Sequence, residues 1–220
     1  RGSGAEKDAA LQECMQIYDR VAADFSYSEY ADDALYNKAW ALITMEQKEA
    51  AVPLFERIVA EYPSGRYGPQ SQFTLGDYYY GLKDYANATA SYERFLELFP
   101  AENLEGRDRQ LVGKAETLLG HLAEIDAYNL YAQGEVLFDK KDYDEAVKIF
   151  KQVQVKYPES DQAVNALVNI GAAYMAQEEY RQAGAVFQEV VDKYSDSSKY
   201  LQQVDFSRQQ LEVMQEARVL

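Results

Sequence analysis

A sixteen-residue pattern recurs along this chain and limits its fold more than any other feature. Residues 143–158 (YDEAVKIFKQVQVKYP) place Ala146, Phe150, Val153 and Tyr157 on one face of a helix. Pro158 then ends the helix, because proline lacks an amide hydrogen and restricts the residue before it. The pattern is repeated at residues 180–195, 85–100 and 48–63, with a more divergent copy at 11–26.

Three aligned columns keep one register through all five copies, which establishes an internal repeat. A small residue is followed four positions later by an inner aromatic residue and seven positions after that by a terminal one. The copies are 37 residues apart, except that 58 residues separate the third from the fourth. In chain order the columns hold Cys14, Tyr18 and Phe25; Ala51, Phe55 and Tyr62; Ala88, Tyr92 and Phe99; Ala146, Phe150 and Tyr157; and Ala183, Phe187 and Tyr194.

Each later copy is preceded by another helical stretch that carries one very small residue. These small residues are Ala39, Gly76, Gly134 and Gly171. Glycine inside a helix costs about 1 kcal/mol relative to alanine, so its recurrence predicts that close helix packing offsets the cost. We expect each glycine to lie opposite the alanine of the second helix. The chain is therefore predicted to be all-α, built from antiparallel helix pairs.

Residues 101–126 interrupt the rhythm without a proline. Leu104, Leu111, Leu118, Leu122 and Ile125 form a helical stripe there. Gly113 also lies 37 residues after Gly76, as though a first helix began without its partner. The favoured interpretation is one long helix over about 106–139 that two repeat blocks share. The alternative is a turn near Gly120 and His121 that separates two helices.

The repeats divide the chain into blocks. Residues 5–105 form an N-terminal block of one partial and two full repeats, residues 106–139 the bridging helix, and residues 127–197 a C-terminal block of two repeats. Residues 198–220 are predicted to be a polar helix that covers the open apolar end, as repeat arrays require. Residues 1–4 (RGSG) resemble a cloning remnant, so a native leader can have been removed.

Composition limits the partners. The chain has 220 residues, 47% of them hydrophobic, and a net charge of −15. The negative charge argues against nucleic-acid backbones and anionic membrane surfaces, which attract positive charge, and permits a basic partner. No apolar run approaches the roughly 20 residues that span a bilayer, so we expect no direct membrane insertion.

Few residues point to catalysis. Cys14 stands in the small-residue column, so we expect a buried packing thiol and not a nucleophile. His121, the single histidine, is expected on a helix surface or at an interface, since no nucleophile or metal-spaced carboxylates accompany it. The acidic run from Asp139 to Glu145 lacks the glycine and the distal glutamate of an EF-hand loop. We therefore predict no enzyme, no cofactor and no metal site.

The helix pairs, the Y-x-x-A-x-x-x-F spacing and the closing Tyr-Pro resemble the tetratricopeptide repeat, whose usual period is about 34 residues. The longer connector YPSGRYGPQSQFTLGDYYY is similar to a bacterial cell-envelope subgroup of the Tol–Pal coordinator and β-barrel-assembly lipoprotein type. The resemblance covers about residues 11–100 and 127–197. It implies a right-handed α-solenoid whose concave wall is lined by the first helix of each pair.

The resemblance implies that the residues at the family's wall positions bind a partner. In this sequence those residues are aromatic and acidic. Trp40 is the favoured exposed anchor, because tryptophan is enriched at binding hot spots. Family members that clamp a carboxylate tail use Lys and Asn on this wall. Here the corresponding positions are mostly aromatic or acidic, which argues against a carboxylate tail and favours an apolar or basic peptide. For Phe73, Tyr131 and Phe138 the alternative is packing between repeats. The predicted wall comprises Tyr36, Trp40, Ile43, Phe73, Asp77, Tyr80, Tyr131, Glu135, Phe138, Val168, Ala172 and Met175.

Two functions remain open at the level of the sequence. The first is a non-catalytic scaffold that binds another protein, in the bacterial periplasm or at the outer membrane, with a cytoplasmic location as the alternative. The second is a structural module that joins copies of itself into a homo-oligomer. Light scattering across dilutions separates them.

Overall fold

The computed structural model describes residues 4–28 and 30–217, and it is all-α over these residues, without a strand. Two single 3₁₀ turns, Ala101–Asn103 and Ser198–Tyr200, precede the sixth and tenth helices. The α-helices are α1 (Gly4–Asp24), α2 (Ala31–Thr44), α3 (Lys48–Glu61), α4 (Gly68–Gly81), α5 (Tyr85–Leu98), α6 (Gly106–Asp139), α7 (Tyr143–Lys156), α8 (Asp161–Ala176), α9 (Tyr180–Tyr194) and α10 (Leu201–Glu216).

The recurring pattern forms a helix at every copy. In α7 the predicted face is buried, with Ala146, Phe150 and Val153 fully enclosed. The helix ends at Lys156, two residues before Pro158, as the restriction on the residue before proline requires. One face of α2 is buried as well, and it includes Ala34, Leu35, Ala39 and Leu42. All-α packing of helix pairs is therefore confirmed.

The chain forms two compact units, residues 1–120 and 121–220. In unit 1, Leu35, Phe55 and Ile58 centre a core that extends to Leu75. In unit 2, Phe150, Val153 and Ile170 form one cluster, and Phe187 and Met214 form another. Sequential helices pack together within each unit: α1 to α5 in unit 1, and α7 to α10 in unit 2.

The long insertion is a single helix. α6 runs 34 residues from Gly106 to Asp139, the range of the favoured interpretation. The alternative turn at Gly120 and His121 is absent from the structure, although the boundary between the two units falls at that point. At the C-terminal end, α10 packs on α9 and α8, and its Met214 and Val204 are buried.

The glycines of the first helices approach an aromatic ring, which corrects the expectation that they face alanine. A Cβ at Gly134 would lie 2.5 Å from Phe150, and one at Gly171 would lie 2.7 Å from Phe187. Gly76 has the same relation to Tyr92. The inner aromatic residue is thus seated directly against the backbone of the first helix, and no larger residue fits there without displacing the ring.

The turn inside each helix pair has one residue in the left-handed region, and none of these residues is glycine. They are Glu46, Lys83, Lys141 and Glu178, with φ between 60° and 64°. The amide of the residue that follows the left-handed one, three positions after the helix end, bonds back across the turn, as Asp142 N–H does to the Leu137 carbonyl at 2.9 Å. This is the usual closure of a helix C-terminus, at the cost of strain in a residue with a side chain.

Cys14 is exposed, so the expectation of a buried thiol is wrong. The later members of its column, such as Ala51 and Ala88, are buried because each belongs to a second helix that packs on the first helix of its own pair. Helix α1 packs on α2, which follows it, and no helix precedes it in the described chain. The column therefore meets solvent at Cys14.

Candidate functional site

Unit 1 contains a groove along the inner side of its first helices. We call it the inner groove, and α2, α4 and the first half of α6 line it. Each of these helices contributes residues at corresponding positions of the 37-residue repeat. The lining residues used below are Tyr36, Tyr67, Gln70, Phe73, Asp77, Asp108, Gln110 and Lys114.

An aromatic platform stands at one end of the inner groove. Tyr36 stacks on Tyr67 with ring centroids 4.0 Å apart and an interplanar angle of 12°. Trp40 meets Tyr36 edge-on at 6.1 Å and Phe55 at 6.5 Å, and it remains 42% exposed. Ile43, one turn further along, is half-buried against the core of unit 1. Trp40 is thus an exposed ring held in place by buried and stacked neighbours.

Phe73 does not present its ring to a partner. It is 8% exposed and packs on Tyr92 and Phe95, with centroids 5.4 and 5.7 Å away. Phe73 therefore packs within its own repeat, on the second helix of its pair, and not between repeats as the alternative interpretation has it, and it forms the base of the inner groove. The sequence could not decide this, because a helix face that lines a shallow groove has the same period as one that lines a core.

Asp77 accepts a hydrogen bond from Tyr92, the inner aromatic residue of the same repeat. The Tyr92 hydroxyl, itself fully buried, donates to the Asp77 carboxylate at 2.7 Å. Partial burial raises the pKa of Asp77, while the Tyr92 hydrogen bond and the charge of Lys114 oppose that shift. Burial also raises the pKa of Tyr92 far above its ordinary value, and Asp77 adds to the effect. The carboxylate is therefore oriented within the groove.

Sequence analysis missed the contribution of α6 to this wall. Gln110 and Lys114 line the groove at the positions that Phe73 and Asp77 hold one repeat earlier. The signal was present, since Gly113 lies 37 residues after Gly76. The predicted wall nevertheless includes no residue of 106–126, because this first helix lacks the second helix of a full repeat.

The charge of the inner groove is mixed, because basic residues outside the predicted wall also line it. Arg66, Arg107 and Lys114 line it together with Asp77 and Asp108. Gln70 Nε2 donates to the Asp108 carboxylate and so links α4 to α6. Burial raises the pKa of Asp108, and the hydrogen bond from Gln70 and the charge of Arg66 counteract it.

In unit 2 the corresponding positions are occupied by internal contacts. Asn169 Nδ2 donates to the Tyr131 hydroxyl at 2.8 Å, and Tyr131 lies 5.5 Å from Phe150. Burial raises the pKa of Tyr131 well above its usual range, and the nearby Glu135 carboxylate adds to the rise. Phe138 packs edge-on to Tyr143 at 5.2 Å, Met175 joins the Phe187 cluster, and Val168 and Ala172 are half-buried.

The other candidate groups are scattered. Tyr80 is half-buried beside Tyr85, at 6.0 Å, and His121 is exposed on α6. Within residues 4–28 and 30–217, no cluster of three or more His, Cys, Asp or Glu side chains is arranged to hold a metal ion. No helix of this part of the chain is both long and apolar enough to cross a membrane.

The chain is similar to a known protein family and to solved helical-repeat structures. The family YfiO, described as outer membrane lipoprotein, matches residues 16–106 and 123–217. No curated protein matches the chain. Solved structures similar to it include the TPR2AB domain of yeast Sti1 in its pHSP90 complex, with 18% identity, a TM-score of 0.37, and coverage of 97% of this chain and 84% of that one. Another is a kinesin light chain with TPR-like repeats from Podosopora anserina, with 19% identity, a TM-score of 0.35, and coverage of 82% and 84%.

Proposed function

This chain belongs to the YfiO family of outer membrane lipoproteins, and from that premise we propose that it is a non-catalytic scaffold that binds another protein in a bacterial cell-envelope complex. Its helix pairs are tetratricopeptide repeats, a module of protein–protein interaction. The proposed location is the periplasmic side of the outer membrane, in keeping with the description of the family.

One observation carries the proposal. Trp40 is the single tryptophan of the chain, and it is 42% exposed on a rigid aromatic platform beside the inner groove. Its position is set by Tyr36 and Phe55, so little conformational entropy is lost when a partner covers it. Binding hot spots are typically rigid tryptophan, tyrosine and arginine side chains of this kind.

The proposed ligand is an apolar segment of the partner. The rings of Tyr36 and Trp40 supply apolar area, while Asp77, Gln110 and Lys114 supply polar contacts of both signs along the groove. Because the charges nearly balance, net charge selects the partner less strongly than shape and apolar contact. This narrows the earlier expectation of an apolar or basic peptide to an apolar one.

The test compares partner capture by three variants. The immobilised chain is incubated with solubilised bacterial envelopes, and the captured protein is quantified by mass spectrometry. Trp40→Ala removes a hot-spot ring, so we expect capture to fall about 30-fold, which corresponds to 2 kcal/mol. Tyr80→Ala is expected to weaken capture less, and Trp40→Phe, which keeps a ring, is expected to retain most of it.

The matched control is Val155→Ala, which removes an apolar side chain that is 81% exposed in unit 2. Its capture and melting temperature are expected to equal those of the unaltered chain. Equal capture by Trp40→Ala would exclude the inner groove as the binding surface. If the chain instead remains oligomeric on dilution in light scattering, and none of the variants changes capture, the self-assembling module is favoured.

A further inference from the structure

One buried column of the repeat contains a carboxylate where the others are apolar. Seven residues before the small residue of each first helix stand Asp32, Pro69, Ala127 and Val164. All four are buried, and Asp32 is 3% exposed. A buried ionisable side chain is unfavourable unless it is fully hydrogen-bonded or paired, so the exception at Asp32 calls for a physical reason.

The hydrogen bonding of Asp32 is incomplete. Its Oδ1 accepts the Asp33 backbone N–H at 2.9 Å, in the first turn of α2, where a negative charge is favourable. Its Oδ2 is buried and has no hydrogen-bond donor among the described residues. This oxygen lies against Gly65 in the loop between α3 and α4, where a Cβ would collide with it.

Asp32 lines a pocket formed by the start of α2, the α1–α2 turn and the α3–α4 loop. Three carboxylates, those of Asp32, Asp33 and Glu61, line the pocket, against the single guanidinium of Arg66. The guanidinium of Arg66 lies over the Tyr67 ring, 5.4 Å from its centroid. The pocket therefore carries a net negative lining together with a buried oxygen that lacks a donor.

Exposed aromatic rings surround the same turn. Phe25 is 61% exposed, Tyr30, which lines the pocket, is 60% exposed, and Tyr27 is fully exposed. The later members of the Phe25 column are half-buried or, at Phe99, buried. The exposed Tyr30 ring in the lining of an acidic pocket favours a cationic side chain, because the faces of aromatic rings attract cations.

We propose that this pocket, which we call the acidic pocket, receives an arginine side chain of a partner protein. A guanidinium has five N–H donors in a plane, so it can supply the donor that Asp32 Oδ2 lacks while it pairs with Glu61 and stacks on Tyr30. Lysine lacks the planar fork and is more strongly hydrated, so it fits the site less well. The proposal is independent of the inner groove and does not require Trp40.

The test is a titration followed by ¹⁵N–¹H NMR of the whole chain. The probe is a blocked Gly-Gly-Arg-Gly-Gly peptide, and its matched control contains citrulline, which has the same shape without the charge. We expect saturable shifts of the Asp32, Gly65 and Arg66 amides with the arginine peptide, and at least tenfold weaker binding of the citrulline peptide. Trp40→Ala is expected to leave both titrations unchanged.

Asp32→Asn is the decisive variant, because it keeps an acceptor for the Asp33 amide and removes the charge. We expect loss of arginine binding and a melting temperature that is unchanged or higher, since an unpaired buried charge is removed. A lower melting temperature would assign Asp32 a structural role and overturn the proposal. So would equal binding of the two peptides, no saturable shift up to the solubility limit of the arginine peptide, or tighter binding of free arginine than of the blocked peptide.

Discussion

The two halves of α6 carry the same small-residue column and use it differently. A Cβ at Gly134, in the second half, would lie 2.5 Å from Phe150, whereas nothing lies within 4 Å of a Cβ at Gly113, in the first half. The second half is followed by α7, which supplies the ring. The first half continues as the same helix and has no second helix of its own in the described chain. A glycine at repeat spacing therefore indicates close packing only where the paired helix is present.

The presence or absence of a paired second helix also explains whether the side chains of each half of α6 line a groove or pack in a core. Without a paired second helix, the first half places Gln110 and Lys114 along the inner groove of unit 1. In the second half, Tyr131 and Phe138 are engaged by Asn169 and Tyr143 within unit 2. The same positions thus line an open groove in one half and support a packed core in the other.

The largest expected effect comes from removing the ring that Gly134 seats. Phe150→Ala is expected to lower the free energy of unfolding by about 3–5 kcal/mol, because a fully enclosed ring leaves a cavity. Urea denaturation monitored by far-ultraviolet circular dichroism reports the unfolding of the helices of the whole chain. Fluorescence of Trp40 reports unit 1 separately. A loss below about 1 kcal/mol would show that the ring is not part of a close-packed core.

Gly134→Ala is the next most disruptive change. We expect a loss of about 1–2 kcal/mol, because overpacking against Phe150 outweighs the gain of about 1 kcal/mol from better helix propensity. The same substitution is then made together with Phe150→Ala. With the ring gone, alanine at 134 is expected to stabilise, and equal effects in both backgrounds would contradict the proposed contact.

Tyr92→Phe converts the seated ring of α5 into the type found in α7. The phenylalanine still fills the space against Gly76, but the hydrogen bond to Asp77 is lost. A single hydrogen bond of this kind contributes about 0.5–1.5 kcal/mol, and we expect a loss of that size in urea denaturation. Tyr128→Phe, at a ring that is 59% exposed, is the control. An unchanged midpoint for Tyr92→Phe would mean that water replaces the bond without loss.

Gly113→Ala is expected to have the smallest effect and the opposite sign. With open space around the new methyl group, only helix propensity changes, so the chain gains up to about 1 kcal/mol. The midpoint of thermal unfolding of this variant is compared with that of Gly134→Ala. Destabilisation of Gly113→Ala would indicate that an unrecognised helix packs on the first half of α6.

The repeat made much of the fold predictable. The helices α3, α5, α7 and α9 begin at the residues where the pattern begins, and the single long helix runs over the predicted bounds. The candidate site was less predictable. Phe73 and Tyr36 occupy the same position in successive repeats, yet Phe73 is buried on Tyr92 while Tyr36 lies half-buried on Tyr67. Helical period places both on one face and does not report what lies beyond that face.

Local chemistry along the chain determined the helices, their ends and their register, because apolar spacing and proline act over a few residues. The neighbour of each column depends on how the helices pack together. This packing placed the glycines against aromatic rings, left Cys14 in solvent, buried Asp32 in an apolar column and brought Lys114 beside Asp77. Those outcomes depend on helices that are distant in sequence, and no pattern within one repeat contains them.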